Sequence, residues 1–262
     1  MLLTTTVLHQ EETGTEEAEM FFGHDDVKHA ADCKKEIIDI INSMSGKYSG
    51  YEIFTDWIRC LALAIENSTH LIRDKYWQER EQLYMDTMRK YEPEEHEKFG
   101  VLTARLVEAL EEGPDDILGK VYMEAGMGSK IAGQFFTPFH LSVLCARIGL
   151  HEQIEDYKAG RLDKITINEP SCGGGAMIIA SAKVLLEQEI NFQQAMDVVA
   201  QDLDWKGVYM CYVQLSLLGI SAICVQGDTL CNPYVPGKTE KSHIMRTPMK
   251  AGMQKGICTH GS

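Results

Sequence analysis

Apolar residues recur at helical spacing through the first half of the chain. From Val27 onward they fall every three or four positions, on a stripe of Ala30, Ala31, Ile37, Ile38, Ile41 and Met44. Further helices are predicted in YEIFTDWIRCLALAIEN, in IRDKYWQEREQLYMDTMRKY and after Pro93, a residue that suits a first helical turn. The stripe of Trp57, Leu61 and Ile65 is more typical of a core than of a binding groove. We therefore predict a helical domain over residues 27–130.

The pattern changes after Leu150. KITINEP alternates as a strand does, GAMIIASAKVLLEQ is helical, MDVVAQDLD is a β-branched run, WKGVYMCYVQLSLLGI is helical, and SAICVQGDT is again strand-like. Strands that alternate with helices over short connections predict a parallel sheet with right-handed crossovers. The fold class is therefore α/β, with half of a doubly wound, Rossmann-like sheet following the helical domain.

Three consecutive glycines, Gly173 to Gly175, stand where the first strand should turn into a helix. In doubly wound folds such a turn exposes bare backbone N–H groups at a helix N-terminus, which can hold a carboxylate or a phosphate. A tight turn without a ligand would explain the glycines equally well. The glycines alone leave the two interpretations open.

Carboxylates follow the next two predicted strands. Asp202 and Asp204 end the second strand, and Asp228 follows the third. Each acid singly is more typical of a helix N-cap or a solvated turn. Because ligands bind across the carboxyl edge of such sheets, acids after consecutive strands favour a nucleoside site there.

These residues carry a family resemblance. GQFFTPFHLSVLCARI (Gly133 to Ile148), EPSCGGGAM, AQDLD and GDTL, in this order, resemble the cofactor half of N6-adenine DNA methyltransferases, especially the modification subunits of type I restriction enzymes. DDILGKVYMEAG resembles the helix that precedes the first element. The likeness spans roughly residues 115–230. It implies a partial class I methyltransferase sheet that binds S-adenosylmethionine, in a domain over residues 131–230.

The resemblance also implies roles for individual residues. Phe136, Thr137 and Pro138 would line the methionine end of the cofactor, and Glu169, Ser171, Gly173 and Gly175 would cradle its amino-acid moiety. Asp202 would take the ribose hydroxyls, and Asp228 would read the adenine. Cys172 lies within the loop, where a packing role is expected.

The chain departs from the family after the third strand. Family members continue to a fourth strand that ends in Asn/Asp-Pro-Pro-aromatic, which holds the flipped adenine and its amino group. The weak counterpart here is Asn232-Pro233-Tyr234, which lacks the second proline and follows GDTL without room for a strand. A turn is expected there, then a loose basic tail over residues 231–262. In the usual strand order 3-2-1-4-5, the first strand would then be an open edge, where a protein partner could pair.

The net charge, the cysteines and the N-terminal sequence limit which functions and which cellular locations can be expected. A net charge of −14 argues against a chain that grips DNA unaided, so DNA contact is expected through a partner subunit. The eight cysteines include no Cys-x-x-Cys pair, so no metal site and no disulfide framework are predicted. Residues 1–26 are expected to form a mobile acidic arm. With neither a signal peptide nor a membrane-length apolar run, a cytoplasmic location is expected.

Two functions remain open on the sequence. The first is an adenine-specific DNA methyltransferase that a second chain completes. The second is a catalytically inactive methyltransferase-like protein that regulates a restriction–modification or mobile-element system. A dinucleotide-dependent oxidoreductase is a distant third, because GQFFTP has no place in one.

Overall fold

A computed structural model describes residues 24–70, 72–127 and 136–252, with side chains from residue 29 onward. Five helices come first: α1 (His24–Met44), α2 (Gly50–Thr69), α3 (Lys75–Met88), α4 (Pro93–Glu111) and α5 (Ile117–Glu124). The first four are the helices that the apolar spacing predicts. The predicted acidic arm lies outside the described residues except at its end, where α1 already begins at His24.

Local capping explains where several of these helices begin. Ser49 and Glu52 form a capping box at the start of α2, and Asp74 accepts a hydrogen bond from the Trp77 N–H at the start of α3. Pro93 occupies the first turn of α4, where its missing N–H costs nothing. These signals fix the helix starts that the sequence predicts.

The second half alternates helices and strands. In order it contains α6 (Phe139–Gly149), α7 (His151–Lys158), β1 (Ile165–Glu169), α8 (Ala176–Glu187), the short α9 (Phe192–Ala195), β2 (Met196–Asp202), α10 (Trp205–Leu217), β3 (Ala222–Gln226) and β4 (Ile244–Arg246). Strands β1, β2 and β3 are parallel and adjacent, with Glu169 opposite Ala200 and Asp202 opposite Gln226. The predicted α/β class and the three parallel strands are confirmed.

The strand order in the described sheet is β1-β2-β3-β4, so β1 is an edge. Its exposed Thr166 and Asn168 alternate with Ile165 and Ile167, which face the core, and this is the alternation of a half-covered strand. Within the described residues, β2 is the only strand that pairs with β1, and its other side carries no strand.

The prediction of a loose tail over residues 231–262 is wrong for residues 241–252. Strand β4 pairs antiparallel with β3, and it buries Ile244 and Met245. The hydroxyl of Thr247 accepts a hydrogen bond from the Ala222 N–H at 2.9 Å and donates to the Ile220 carbonyl at 2.7 Å. Three residues are too few to show an apolar period, which is why the pattern misses this strand. Residues 253–262 lie outside the described residues.

The helical half and the sheet share one hydrophobic core. Helix α10 packs on α2 on one side and on β2 and β3 on the other, and the fully buried Trp57 and Tyr122 belong to the same cluster as Val198 and Ala200. Buried Glu66 of α2 accepts a hydrogen bond from the Arg246 N–H of β4 at 3.1 Å. The helical half and the sheet therefore form one packed unit.

Candidate cofactor site at the carboxyl edge of the sheet

The glycine turn lies between β1 and α8, as the sequence predicts. Gly173 and Gly175 have φ values of +48° and +96°, in the left-handed region that favours glycine. The Cys172 N–H donates to the Gln201 carbonyl at 2.9 Å, so the turn begins by bonding to the end of β2. The turn and the end of β2 form one unit.

The space that a side chain would occupy at each glycine is filled by the protein itself. A Cβ added at Gly173 would lie 3.0 Å from Cε1 of Phe136, one at Gly174 would lie 3.2 Å from Cε of Met210, and one at Gly175 would lie 3.2 Å from Sγ of Cys211. All three contacts are tighter than ordinary packing. Internal packing thus accounts for the absent side chains, and evidence for a ligand must come from the polar groups around the turn.

Asp202 is the polar residue that links the turn to β2. Its Oδ2 accepts a hydrogen bond from the Gly173 N–H at 2.8 Å, and its Oδ1 accepts one from the Asp204 N–H at 2.9 Å. A carboxylate can accept about four hydrogen bonds. The half-buried Asp202 can therefore still accept hydrogen bonds from the two hydroxyls of a diol. Asp204 itself caps α10 by accepting a hydrogen bond from the Lys206 N–H. This is the helix N-cap role that the sequence analysis gives as typical of such an acid.

The other predicted residues surround this pair. Phe136 packs on Gly173 and lies edge-on to Tyr122, with ring centroids 5.1 Å apart, while Thr137 and Pro138 are exposed at the start of α6. Glu169 accepts a 3.2 Å hydrogen bond from the Ser171 N–H. In the structure Gly173 contacts both Phe136 and Asp202, and Glu169 and Ser171 lie at the end of the neighbouring strand.

Asp228 follows β3 on the same edge. Its Oδ1 accepts hydrogen bonds from the N–H groups of Leu230 and Cys231, and the bonds to Cys231 and Leu230 hold the pKa of its carboxyl below the usual range. Its neighbour Thr229 donates to the Pro170 carbonyl at 2.6 Å, which ties the loop after β3 to the loop after β1. The three loops at this edge are therefore joined.

Asn232-Pro233-Tyr234 directly follows this loop, with a bend at Asn232 and irregular chain at Pro233 and Tyr234, and it does not lie at the end of a strand. Gln201 holds this segment by donating to the Asn232 carbonyl at 2.9 Å and accepting from the Tyr234 N–H at 3.0 Å. The Tyr234 ring packs on Ile223, Val225 and Ile244. Asn232 and Pro233 border a cavity of about 440 Å³ that Gln226, Lys238 and His243 also line.

A buried amide network that the sequence analysis missed supports the turn from below. Nε2 of the fully buried Gln214 donates to the Gly174 carbonyl at 2.8 Å and to Asp116 Oδ1 at 2.9 Å, and its Oε1 accepts from the Leu118 N–H at 3.0 Å. Burial raises the pKa of the Asp116 carboxyl. The only signal in the sequence is a lone glutamine inside the apolar helix WKGVYMCYVQLSLLGI.

Buried thiols lie within the turn and against it. Cys172, which the sequence analysis assigns to packing, is buried, and Cys211 and Cys224 are fully buried. Hydrogen bonds to the thiols of Cys172 and Cys224, together with burial, raise the pKa of Cys211 well above its usual range. The three thiols are packing groups, and the seven cysteines of the described residues form no disulfide.

Comparison with known proteins now decides the family. The model of the N-6 DNA methylase family matches residues 114–249, just over half of the chain. The chain belongs to the N-6 DNA methylase family. The resemblance drawn from the sequence motifs is thereby confirmed, and the matched region contains the glycine turn and every strand of the described sheet. S-adenosylmethionine is the cofactor of these methylases.

A solved structure from Listeria monocytogenes, provisionally assigned to the class I S-adenosylmethionine-dependent methyltransferases, is 10% identical and has a TM-score of 0.42. The similarity covers 87% of this chain and 70% of that one. The search of curated proteins found no match. Among the described residues, no helix combines the length and the apolarity that crossing a bilayer requires.

The residues present fit this cofactor. Spare acceptor capacity on Asp202 suits ribose hydroxyls, and the aromatic Phe136 lies against the same loop. When bound, S-adenosylmethionine supplies a methyl group already activated on a sulfonium. The residues of the chain would keep Asp202 bonded to the Gly173 N–H, orient the group that receives the methyl, and exclude water from the site.

Proposed function

We propose that the chain binds S-adenosylmethionine at the carboxyl edge of its sheet and methylates N6 of adenine in DNA once a partner chain completes the sheet. The observation that carries the proposal is the Gly173–Asp202 contact, formed between two motifs of a chain that belongs to the N-6 DNA methylases. Phe136, Thr137 and Pro138 are assigned to the methionine end, and Glu169, Ser171, Gly173 and Gly175 to the amino-acid moiety. Asp202 is assigned to the ribose and Asp228 to the adenine.

The need for a partner rests on geometry. Adenine's amino nitrogen is a poor nucleophile, so two acceptors and a stacking ring must hold it beside the methyl group. Tyr234 instead packs on the apolar side chains of β3 and β4, and Gln201 occupies the Asn232 carbonyl. Asn232, Pro233 and Tyr234 therefore do not form a catalytic element in the chain alone.

The surface around β1 supports a docked partner. β1 is the open edge of the described sheet, and α6 exposes Leu141, Leu144 and Ile148, which lie on one helical face. Leu186 of α8, the helix on which α6 packs, is exposed as well. Edge amides and an apolar stripe are what an added strand with its covering helix would bury.

The test is to incubate the purified chain with methyl-labelled S-adenosylmethionine and unmodified DNA, with and without lysate of its source cells. The proposal predicts label in N6-methyladenine only when lysate is present, and none when Asp202→Ala replaces the wild type. Lysate with Asp163→Ala is the matched control, because Asp163 is exposed at the opposite end of β1.

A second function is favoured by the same Asn232-Pro233-Tyr234 segment. Gln201 bonds the Asn232 carbonyl and the Tyr234 N–H. If these bonds also persist in the presence of a partner, the chain is a cofactor-binding regulatory protein of a restriction–modification or mobile-element system. Cofactor binding without label transfer in any lysate fraction would support that reading over catalysis.

A further inference from the structure

Three metal-ligating side chains meet between α1 and α4, on elements that take no part in the glycine turn. His29 and Cys33 lie one turn apart on α1, and Glu108 faces them from α4. Cys33 Sγ is 3.8 Å from His29 Nε2 and 3.7 Å from Glu108 Oε2. All three donor atoms lie within 4.8 Å of one another.

These distances are close to those of a formed metal site. In a tetrahedral site with Zn–S near 2.3 Å and Zn–N or Zn–O near 2.0 Å, the sulfur and each light ligand atom are about 3.5 Å apart. The two sulfur distances exceed this value by only a few tenths of an ångström. His29 and Glu108 lie within 4.8 Å of each other, against about 3.3 Å for two light ligands of such a site, so side-chain rotation has to bring these two donors closer.

Ligand chemistry selects the ion. Thiolate and imidazole suit Zn²⁺, which also takes carboxylate oxygen, whereas Mg²⁺ and Ca²⁺ prefer oxygen alone. We propose that His29, Cys33 and Glu108 bind one Zn²⁺ ion, with water in the fourth position.

Burial leaves a way in for the ion, and Arg105 is the cation that the ion would have to displace from Glu108. Cys33 is 2% exposed, Glu108 is partly exposed and His29 is exposed, so an ion would enter from the His29 side. Arg105 bonds Glu108 Oε2 at 2.5 Å and Glu36 at 2.6 Å. A dication would draw the Glu108 oxygen from Arg105, which keeps Glu36 as its partner, and the ionised thiol and carboxylate would neutralise the ion.

The consequence is a cross-link in the helical domain. Helices α1 and α4 pack on each other, and a shared ion would join them in the N-terminal part of α1. Because the unfolded chain does not hold the three ligands together, binding would stabilise the folded state. The absence of a Cys-x-x-Cys pair did not exclude this site, because one ligand is contributed by a distant helix.

Cobalt is the probe of choice, because Co²⁺ takes zinc sites and a thiolate ligand gives it a near-ultraviolet charge-transfer band. The full chain, treated with chelator, is titrated with Co²⁺ and then with Zn²⁺. We expect the band to saturate at one ion per chain and to disappear as Zn²⁺ displaces the cobalt. Zn²⁺ should also raise the thermal unfolding midpoint.

Variants locate the ligands. His29→Ala alters an exposed side chain and should fold normally, yet it should weaken metal affinity by about tenfold or more. Cys33→Ser should abolish the band. His151→Ala and Cys145→Ser, at exposed positions on α7 and α6, are the matched controls and should bind as the wild type does.

The proposal is overturned if the folded wild type shows no saturable cobalt band, or if the band survives Cys33→Ser. A band lost instead in Cys258→Ser would assign the metal to the C-terminal residues and would equally overturn it. Each outcome is independent of cofactor binding, which can be measured on the same samples.

Discussion

Asp202 acts through two oxygens that already hold the backbone of the glycine turn and of the α10 start. Asp202→Ala should weaken S-adenosylmethionine binding by about 1–3 kcal/mol, or roughly five- to 150-fold in Kd, because polar partners lose their acceptor. Isothermal titration calorimetry measures this loss. Asp163→Ala is the control, and wild-type affinity in Asp202→Ala would contradict the assigned role.

Gly173 is constrained twice, by its φ of +48° and by the ring of Phe136. Gly173→Val should abolish cofactor binding while far-ultraviolet circular dichroism shows the helices intact, since a β-branched residue resists positive φ and has no room for its Cβ. Gly149→Ala, at a glycine with open space around it, should behave as the wild type does. Normal binding by Gly173→Val would mean that the turn is not part of the site.

Site residues could be predicted from the sequence where they directly follow a predicted strand. The glycine turn and Asp202 could be placed because strand ends of a parallel sheet converge at one edge. The reason for the glycines was less accessible. Phe136, Met210 and Cys211 fill the space at the three positions, and they come from elements whose packing no local pattern records.

At the scale of elements, Gln214 couples α10, α5 and the glycine turn. Gln214→Leu would leave the Gly174 carbonyl, the Leu118 N–H and Asp116 without this partner, so we expect a lower free energy of unfolding, by about 1–3 kcal/mol or more, together with weaker cofactor binding. Urea unfolding and calorimetry measure the two effects. Gln214→Glu keeps an acceptor for the Leu118 N–H but loses the donor to the Gly174 carbonyl, so it should weaken cofactor binding as well. Equal affinities in both variants and the wild type would exclude a positioning role.

Asp116 makes the same network sensitive to pH. Its folded-state pKa is raised by burial, so the folded protein holds a proton that the unfolded chain loses near pH 4. The free energy of unfolding should therefore fall as pH rises from about 4 through the raised pKa, which is the direction linkage requires. Asp116→Asn retains an acceptor oxygen and should show a shallower fall in urea unfolding measured across pH. An unchanged slope would assign the pH dependence to other groups, among them buried Glu66, whose pKa burial also raises.

Elements long enough to show a period were predictable, and β4 was not. Ile244 and Met245 are too few to reveal alternation, and the strand forms because β3 offers an edge and Thr247 satisfies the Ala222 N–H. That edge becomes visible only once the sheet exists. The Gln214 network escaped prediction for a similar reason, since its partners are about 40 and 98 residues away in sequence.

At the scale of the whole molecule, the open β1 edge and the net charge of −14 point in the same direction. An acidic chain attracts DNA weakly and in a strongly salt-dependent way, and it exposes strand amides that a partner could pair. We expect the purified chain to bind cofactor and to show little or no methyl transfer to DNA. When lysate restores transfer, the β1 amides that point away from β2 should gain hydrogen-exchange protection at the same time. Robust adenine methylation by the purified chain alone, lost on Asn232→Ala, would contradict this account.

The most direct measurement of the central claim is hydrogen exchange of the purified chain with and without saturating S-adenosylmethionine. Binding at the carboxyl edge predicts slower exchange in the loops after β1, β2 and β3, covering residues 170–175, 202–205 and 227–231, and no change in α3 or α4. Those helices serve as internal controls, because no residue assigned to the cofactor lies on them. No saturable binding at millimolar cofactor, or protection confined to segments away from these three loops, would contradict the account.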